Sequence, residues 1–390
     1  MIRNSLFALI AAVLLSSCGG HTTHQQGDGD TVAFKYATLL TIVDYDGYSV
    51  ATIRNPWKEG KILHTYILIS QQNLSEKGGL PTDSADGSLS LDGFRNATVI
   101  HTPIQRSAVF TTVHCSLLMT LGCGEGIVGV ADSKYIKIPW IQDQIGQGRI
   151  VDCGNGLNPV VEKIMDIKPD AILLSPFENS GGYGKVEELG IPLVECAEYM
   201  ETSPLGRAEW MRFYGRLYGQ AERADSLFAV VDSCYHSLKA LASEAGEGSS
   251  VLFDKMVGSV WYVPGGHSTI GQMVQDAGGR NPWADDDHSG SLSLPFETVL
   301  ERAGECDVWL YRYTSDHTMT MHELLSEYRG YDQLKAVRTG GVYGCNVETS
   351  LFYEESPFRP DYLLSDFIQI LHPEITNLPP LRYYIKVNPS

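Results

Sequence analysis

Two distant stretches of the chain share one design. Residues 158–176 read NPVVEKIMDIKPDAILLSP: an amphipathic helical pattern runs into Pro169, and Asp170 then opens a short, wholly apolar strand. Residues 293–312, SLPFETVLERAGECDVWLYR, repeat it with Pro295, Glu297, a helix, Asp307 and another apolar strand. Short apolar strands that follow helices belong to parallel sheets covered on both faces. Each unit also puts a glutamate, Glu162 or Glu297, in the first turn of its helix. A carboxylate there complements the helix dipole by about 0.3–1 kcal/mol, which is one sufficient reason for its presence.

The same grammar fills most of the chain. SAVFTTV, IVGVAD, AILLSP and IPLVEC read as strands, separated by the helical SLLMTLGCG, the Glu162 unit and GGYGKVEELG. Residues 203–248 break the rhythm. Ser203-Pro204 is a helix start, Trp210, Phe213, Tyr214, Leu217 and Tyr218 share a helical face, and Leu227, Val231, Cys234, Leu238 and Leu241 mark a second, long helix. Strand–helix alternation resumes with VLFDKMVGSVWYV, GGHSTIGQMVQDAGG, the Glu297 unit, HELLSEY, GGVYGCNV and PDYLLSDFIQILHPE. Ahead of the first lobe, residues 36–70 alternate apolar and polar positions around Asp46-Gly47, a strong hairpin signal, and Ser75–Gly93 reads as a loop. The expected fold class is α/β. Two Rossmann-like lobes, residues 31–202 with a β-meander extension and 249–390, are joined by linking helices over 203–248.

The first residues read as an address. MIRNSLFALIAAVLLSSC has one positive charge, an apolar run too short to span a bilayer, and small residues before Cys18. Residues 1–17 are expected to be a signal peptide whose end resembles the lipobox of bacterial lipoproteins, with Cys18 lipidated and 18–30 a polar tether. A net charge of −18 with no basic run argues against nucleic acid as a partner. The seven further cysteines form no CxxC pair, which disfavours a zinc ribbon.

With its motifs in this order, the chain resembles the helical-backbone (class III) substrate-binding proteins of ABC importers, the binders of cobalamin, ferric siderophores and haem. The similar stretches are RSAVFTTVHCSLLMTLGCGEGIVGVADSKY, LNPVVEKIMDIKPDAILLSP, KVEELGIPLVEC, the long helix, and WYVPGGHSTIGQMVQDAGGRNPW with the Glu297 unit, over roughly residues 106–375. The resemblance implies a periplasm-facing, membrane-anchored monomer that catalyses nothing and needs no cofactor. It would deliver a metal chelate, whose iron or cobalt is cargo, to an ABC permease dimer with its ATPase. It also gives Glu162 and Glu297 a second reading, as the acidic residues that meet permease arginines. Cargo would lie between the lobes, near His114, Tyr135, Trp140 and Phe177 of the first and Trp261, Tyr262, Arg312 and Tyr353 of the second. His114 has the alternative of a structural, hydrogen-bonded histidine. Where cobalamin binders carry a tryptophan ahead of the first glutamate unit, this chain has Cys153-Gly154, a departure that weakens a strict cobalamin assignment.

Two other classes compete. A bare-metal binder would need converging His/Asp/Glu residues, and the dense candidate, Asp285-Asp286-Asp287-His288, sits in a Gly/Ser-rich loop that reads as solvated surface, so no protein-held metal is expected. An extracytoplasmic hydrolase would need a nucleophile motif, yet GHSTIG has its second glycine one residue too late for GxSxG and HELLS lacks the second histidine of a zincin. A structural surface lipoprotein would explain the tether and the β-rich start but not the duplicated glutamate units.

Overall fold

The computed structural model describes residues 29–71, 96–178 and 182–388. The signal segment, Cys18, nearly all of the tether and the expected Ser75–Gly93 loop lie outside the described residues. The architecture is α/β, two lobes joined by one long helix, with an additional N-terminal sheet.

In the first lobe, five parallel strands lie in the order Leu193–Glu195, Ala171–Leu174, Ser107–Val109, Ile127–Val130, Val151–Asp152. The second lobe has Val251–Phe253, Val308–Tyr313 and Val342–Asn346 in parallel, closed by an antiparallel Ile385–Lys386. The duplicated aspartates do the same work in both. Asp170 accepts the backbone N–H groups of Gln105 (3.0 Å) and Arg106 (2.9 Å), just before the strand Ser107–Val109. Asp307 accepts from the N–H and hydroxyl of Ser250 (3.0 and 2.7 Å), just before Val251–Phe253. Each carboxylate thus pins the start of the neighbouring strand and fixes its register.

Between the lobes, Pro204–Glu209 and Met211–Leu217 lead into a 25-residue helix, Ala221–Ala245. At 1.5 Å per residue it spans about 37 Å. Its buried stripe is Ala224, Phe228, Val231, Tyr235 and Ala242. The sequence suggested a stripe one position away for much of its length. Cys234 is exposed, and Leu227, Leu238 and Leu241 only flank the stripe: Phe228 packs on Tyr36 and Tyr235 donates its hydroxyl to Asp276, while the helix lies against Met211–Leu217 and Pro360–Leu371.

Three further differences concern local structure. VLFDKMVGSVWYV is not one strand: Asp254, at φ +57°, ends Val251–Phe253, and Met256–Val257 with Val260–Pro264 forms a hairpin that joins Ser291–Leu294 in a separate antiparallel sheet. GGYGKVEELG holds a 3₁₀ turn, Gly184–Leu189, in place of an α-helix. The N-terminal piece does contain the Asp46-Gly47 hairpin between Leu40–Tyr45 and Tyr48–Arg54, but it is not a pure meander, since Ile62–Ser70 pairs in parallel with Thr98–Thr102.

That N-terminal sheet is bolted to the rest. Tyr66 is buried, donates its hydroxyl to Leu193 O (3.1 Å) and receives Glu195 N (2.8 Å). Residues 35–39 lie across two buried carboxylates, Glu201 at the end of the first lobe and Glu209 of the linking segment. Glu209 accepts the N–H groups of Lys35, Tyr36 and Ala37, and Glu201 those of Thr38 and Leu39 together with the indole N–H of Trp210. All seven described cysteines are free thiols, five of them buried.

Candidate functional site

The ends of parallel strands leave a crevice between the lobes, the usual ligand position in open α/β sheets. Its central cavity, about 420 Å³, is walled by Thr111–Val113 of the first lobe, Arg207 of the linking segment, and Thr269, Arg312 and Tyr353 of the second. Thr111 also borders a 540 Å³ depression on the first lobe that contains Phe177, and Arg312 and Phe352 border a 190 Å³ recess beside Asp254. The three form one trough.

Local sequence explains the walls. Ser203 accepts Gly206 N (3.2 Å) and starts the short helix that carries Arg207 one turn on. Ser268 accepts Gly271 N (3.0 Å) and starts Thr269–Asp276. The glycines of GGHSTIG are packing requirements: a Cβ on Gly265 would lie 2.5 Å from His288 O, and one on Gly266 2.6 Å from Asp286 O. They let the loop over 283–290 fold down onto this turn.

Arg312 donates Nε to Asp254 Oδ1 (2.8 Å) and Nη2 to Oδ2 (2.5 Å), and its guanidinium lies 5.9 Å from the Tyr353 ring and 5.8 Å from that of Phe352. Burial opposes its charge, but the hydrogen bonds and attraction of Asp254 outweigh it and hold its pKa above the usual arginine value. Arg207 is the reverse case. Burial lowers its pKa, Glu198 opposes that shift, and its Nε is buried without a hydrogen bond among the described residues. The trough therefore offers two cations, one of them with donor capacity to spare.

The lobes also touch directly. Glu354, 2% exposed, accepts Thr112 Oγ1 and the backbone N–H of Lys137, both at 3.0 Å, and Lys137 Nζ reaches Glu348 at 2.6 Å.

Of the eight residues expected at the cargo site, the fold brings Arg312 and Tyr353 into the central cavity and Phe177 into the adjoining depression. Trp261 is a correction: it has no accessible surface, donates its indole N–H to Phe253 O (2.7 Å) and packs on Phe296, Trp309 and Tyr331. Its strand turns it inward and its neighbour Tyr262 outward, onto the exposed face of the small sheet and away from the trough. His114 is likewise corrected to a buried position beneath the cleft floor, between Thr111 and Glu198. Trp140 packs against the hydrophobic core, and Tyr135 is exposed beside Lys134. Sequence reasoning missed Arg207 and Phe352. The Ser203-Pro204 helix start marked the first locally, and adjacency to Tyr353 marked the second. Glu162 and Glu297 both stand exposed in the first turns of Val161–Ile167 and Phe296–Ala303. The acidic run 285–288 is a surface loop in which Asp286 accepts the backbone and ring N–H of His288.

Comparison with known proteins agrees with this geometry. The family model described as periplasmic binding protein matches residues 109–349, more than half of the chain. An uncharacterized lipoprotein of Methanocaldococcus jannaschii is 28% identical over 373 residues, covering 92% of this chain and 86% of that one. Among solved structures, a periplasmic heme binding protein from Pseudomonas aeruginosa matches at TM-score 0.56 and 14% identity, over 74% of this chain and 99% of its own. An ABC-type Fe3+-hydroxamate transport system protein from Saccharomonospora viridis matches at 0.53 and 20%, over 69% and 93%. At these identities the structures speak to the fold.

Proposed function

The chain belongs to the periplasmic binding protein family, and from that premise we propose that it is the extracytoplasmic, substrate-binding lipoprotein of an ABC importer. It captures an iron chelate in the trough between its lobes and delivers it to the permease dimer. Cys18 carries the lipid anchor, as the lipoprotein relative suggests. Glu162 and Glu297 engage basic residues on the two permease subunits, where charge-assisted pairs set orientation and register more than affinity. No catalytic step is assigned to it.

The observation that carries this reading is the trough itself, contacted by both lobes and the linking segment and holding Arg207 and Arg312. Guanidinium groups in a partly desolvated cleft suit carboxylate or catecholate oxygens. They favour a ferric siderophore or haem over a corrinoid, whose side chains end largely in neutral amides. A thermal-shift and calorimetric screen with haemin, a ferric catecholate, a ferric hydroxamate and cyanocobalamin tests it. The true class of cargo raises the melting temperature with concentration, worth about 2.7 kcal/mol at a hundredfold excess over Kd. If none of the four does so, the proposal fails.

A further inference from the structure

Beneath the cleft floor lies a second cluster that cargo capture does not use. His114 projects from the helix Thr112–Thr120, Cys196 follows the strand Leu193–Glu195, and Glu198 opens the turn Glu198–Met200. Their donor atoms all lie within 4.8 Å of one another, and the three residues are at most 1% exposed. We propose that His114, Cys196 and Glu198 bind one zinc ion in a buried site of the first lobe, directly under its junction with the linking helices.

The donors are already oriented. His114 Nδ1 is engaged by Thr111 Oγ1, which fixes the ring and turns Nε2 toward the cluster. Holding one imidazole nitrogen so that the other faces the ion is the usual preparation of a metal-ligating histidine. That Nε2 is buried and makes no hydrogen bond among the described residues; Glu198 Oε1 is 3.4 Å away, well beyond the length of a charge-assisted bond. Tyr214 donates to the other oxygen, Oε2, at 2.9 Å, leaving Oε1 for the ion. Cys196 Sγ makes a weak 3.5 Å contact with Val194 O and lies within interacting distance of both His114 and Tyr214.

The chemistry of the set selects the metal. One nitrogen, one thiolate sulfur and one carboxylate oxygen suit zinc, whereas calcium and magnesium take oxygen ligands. The set itself is charge-neutral, a divalent ion with one thiolate, one carboxylate and a neutral imidazole, which leaves the neighbouring Arg207 guanidinium, now supported by Glu198, facing the cleft. On loading, the thiol proton and any proton on Nε2 pass to solvent, and the ligand–ligand distances contract to roughly 3.3–3.6 Å, the edges of a tetrahedral zinc site. The ring of His114 lies 4.7 Å from that of Tyr214 in the linking segment and 5.8 Å from Phe358 of the second lobe, so the ion would stiffen the first-lobe surface on which linker and second lobe pack.

The experiment uses the full chain carrying Cys234→Ser, which removes the exposed thiol, purified after growth with zinc. Elemental analysis is expected to give one zinc per chain, and X-ray absorption one sulfur at about 2.3 Å with nitrogen and oxygen at about 2.0–2.1 Å. Cys196→Ser and His114→Gln should each weaken zinc binding by about tenfold or more and abolish the rise in melting temperature that zinc confers. Should either fail to fold, the near-isosteric Glu198→Gln reports the same loss. Zinc far below one per chain, a sulfur-free absorption spectrum, or undiminished binding in Cys196→Ser would overturn the proposal. None of these readouts depends on cargo or uptake.

Discussion

Arg312 and Asp254 face each other at the edge of the trough as a two-point ion pair, with Nε to Oδ1 at 2.8 Å and Nη2 to Oδ2 at 2.5 Å. The pair is partly exposed, and Asp254 holds its carboxylate out from a backbone at φ +57°, a conformation asparagine tolerates almost as well. Asp254→Asn therefore separates charge from backbone. It should lower stability by about 1–3 kcal/mol in urea titrations and free Arg312 to move. Arg312→Ala should weaken an anionic chelate at least tenfold by calorimetry while costing less stability than Asp254→Asn. Equal cargo affinity in Arg312→Ala would remove that residue from the site.

Glu354 is a direct link between lobes at the cleft rim, accepting from Thr112 and Lys137 beside the Lys137–Glu348 ion pair. Its removal cancels two hydrogen bonds to a buried carboxylate, worth about 1–3 kcal/mol in favour of the closed arrangement. Glu354→Ala is expected to raise the radius of gyration of the cargo-free protein in small-angle scattering and to speed cargo release. An unchanged scattering profile would mean that the long helix and the Lys137–Glu348 ion pair hold the angle between the lobes without Glu354.

The pH dependence of stability should carry the mark of Asp307. Lys335 at 2.7 Å and the N–H and hydroxyl of Ser250 hold its carboxyl well below the usual carboxylate range, against a smaller burial effect. With a depressed folded-state pKa, its contribution is fully present above about pH 4, the unfolded value, and is lost as pH falls toward the folded one. The site is about a third exposed, so screening limits the effect to about 1 kcal/mol. Asp307→Asn should lower the urea midpoint at pH 7 and flatten its decline between roughly pH 5 and 3 relative to the parent. Parallel curves would disprove the assignment.

The same residue shows why the fold was legible. An aspartate ahead of an apolar run, twice, is visible in the local sequence, whereas the N–H groups its carboxylate binds lie 57–65 residues away, just ahead of the neighbouring strand. The 25-residue helix was readable for a similar reason, as one uninterrupted pattern. The site was harder. In the run Val-Trp-Tyr-Val over 260–263 every residue is apolar or aromatic, so alternation cannot say which face points inward, and a one-residue shift exchanges Trp261 for Tyr262. The buried face of the helix Ala221–Ala245 is ambiguous for the same reason, since Cys234 and Tyr235 are both plausible core residues. Arg207 is foreshadowed only by the Ser203-Pro204 helix start, because its environment is assembled by Glu198 and by the opposite lobe.

Residues 35–39 are tied to the region of the linking helices by their backbone N–H groups, by Lys35 Nζ and the Tyr36 hydroxyl on Asp232, and by Thr38 Oγ1 on Glu201, long-range contacts that local sequence does not announce. Glu209 is 1% exposed and receives three of those groups. Glu209→Ala should cost about 2–4 kcal/mol, since it strands partly buried donors and leaves Arg212 without one of its partners. Limited proteolysis should then cut near residues 31–39, whereas the parent resists. Continued resistance would show that Glu201 and Tyr66 suffice to hold the N-terminal sheet.

Permease docking predicts a separation of two activities. Glu162 and Glu297 are exposed, make no contact with the trough, and stand on matching helices of opposite lobes. A helix-dipole role alone would make their loss cost no more than about 1 kcal/mol each and leave uptake intact. Docking instead requires that Glu162→Arg and Glu297→Arg, singly and together, abolish uptake in cells expressing the matching importer, because each places like charges face to face. Cargo affinity and melting temperature should stay close to those of the parent. A double variant that still supports uptake would return both glutamates to the role of helix-end charges, and weakened cargo binding in either single variant would place them at the wrong site.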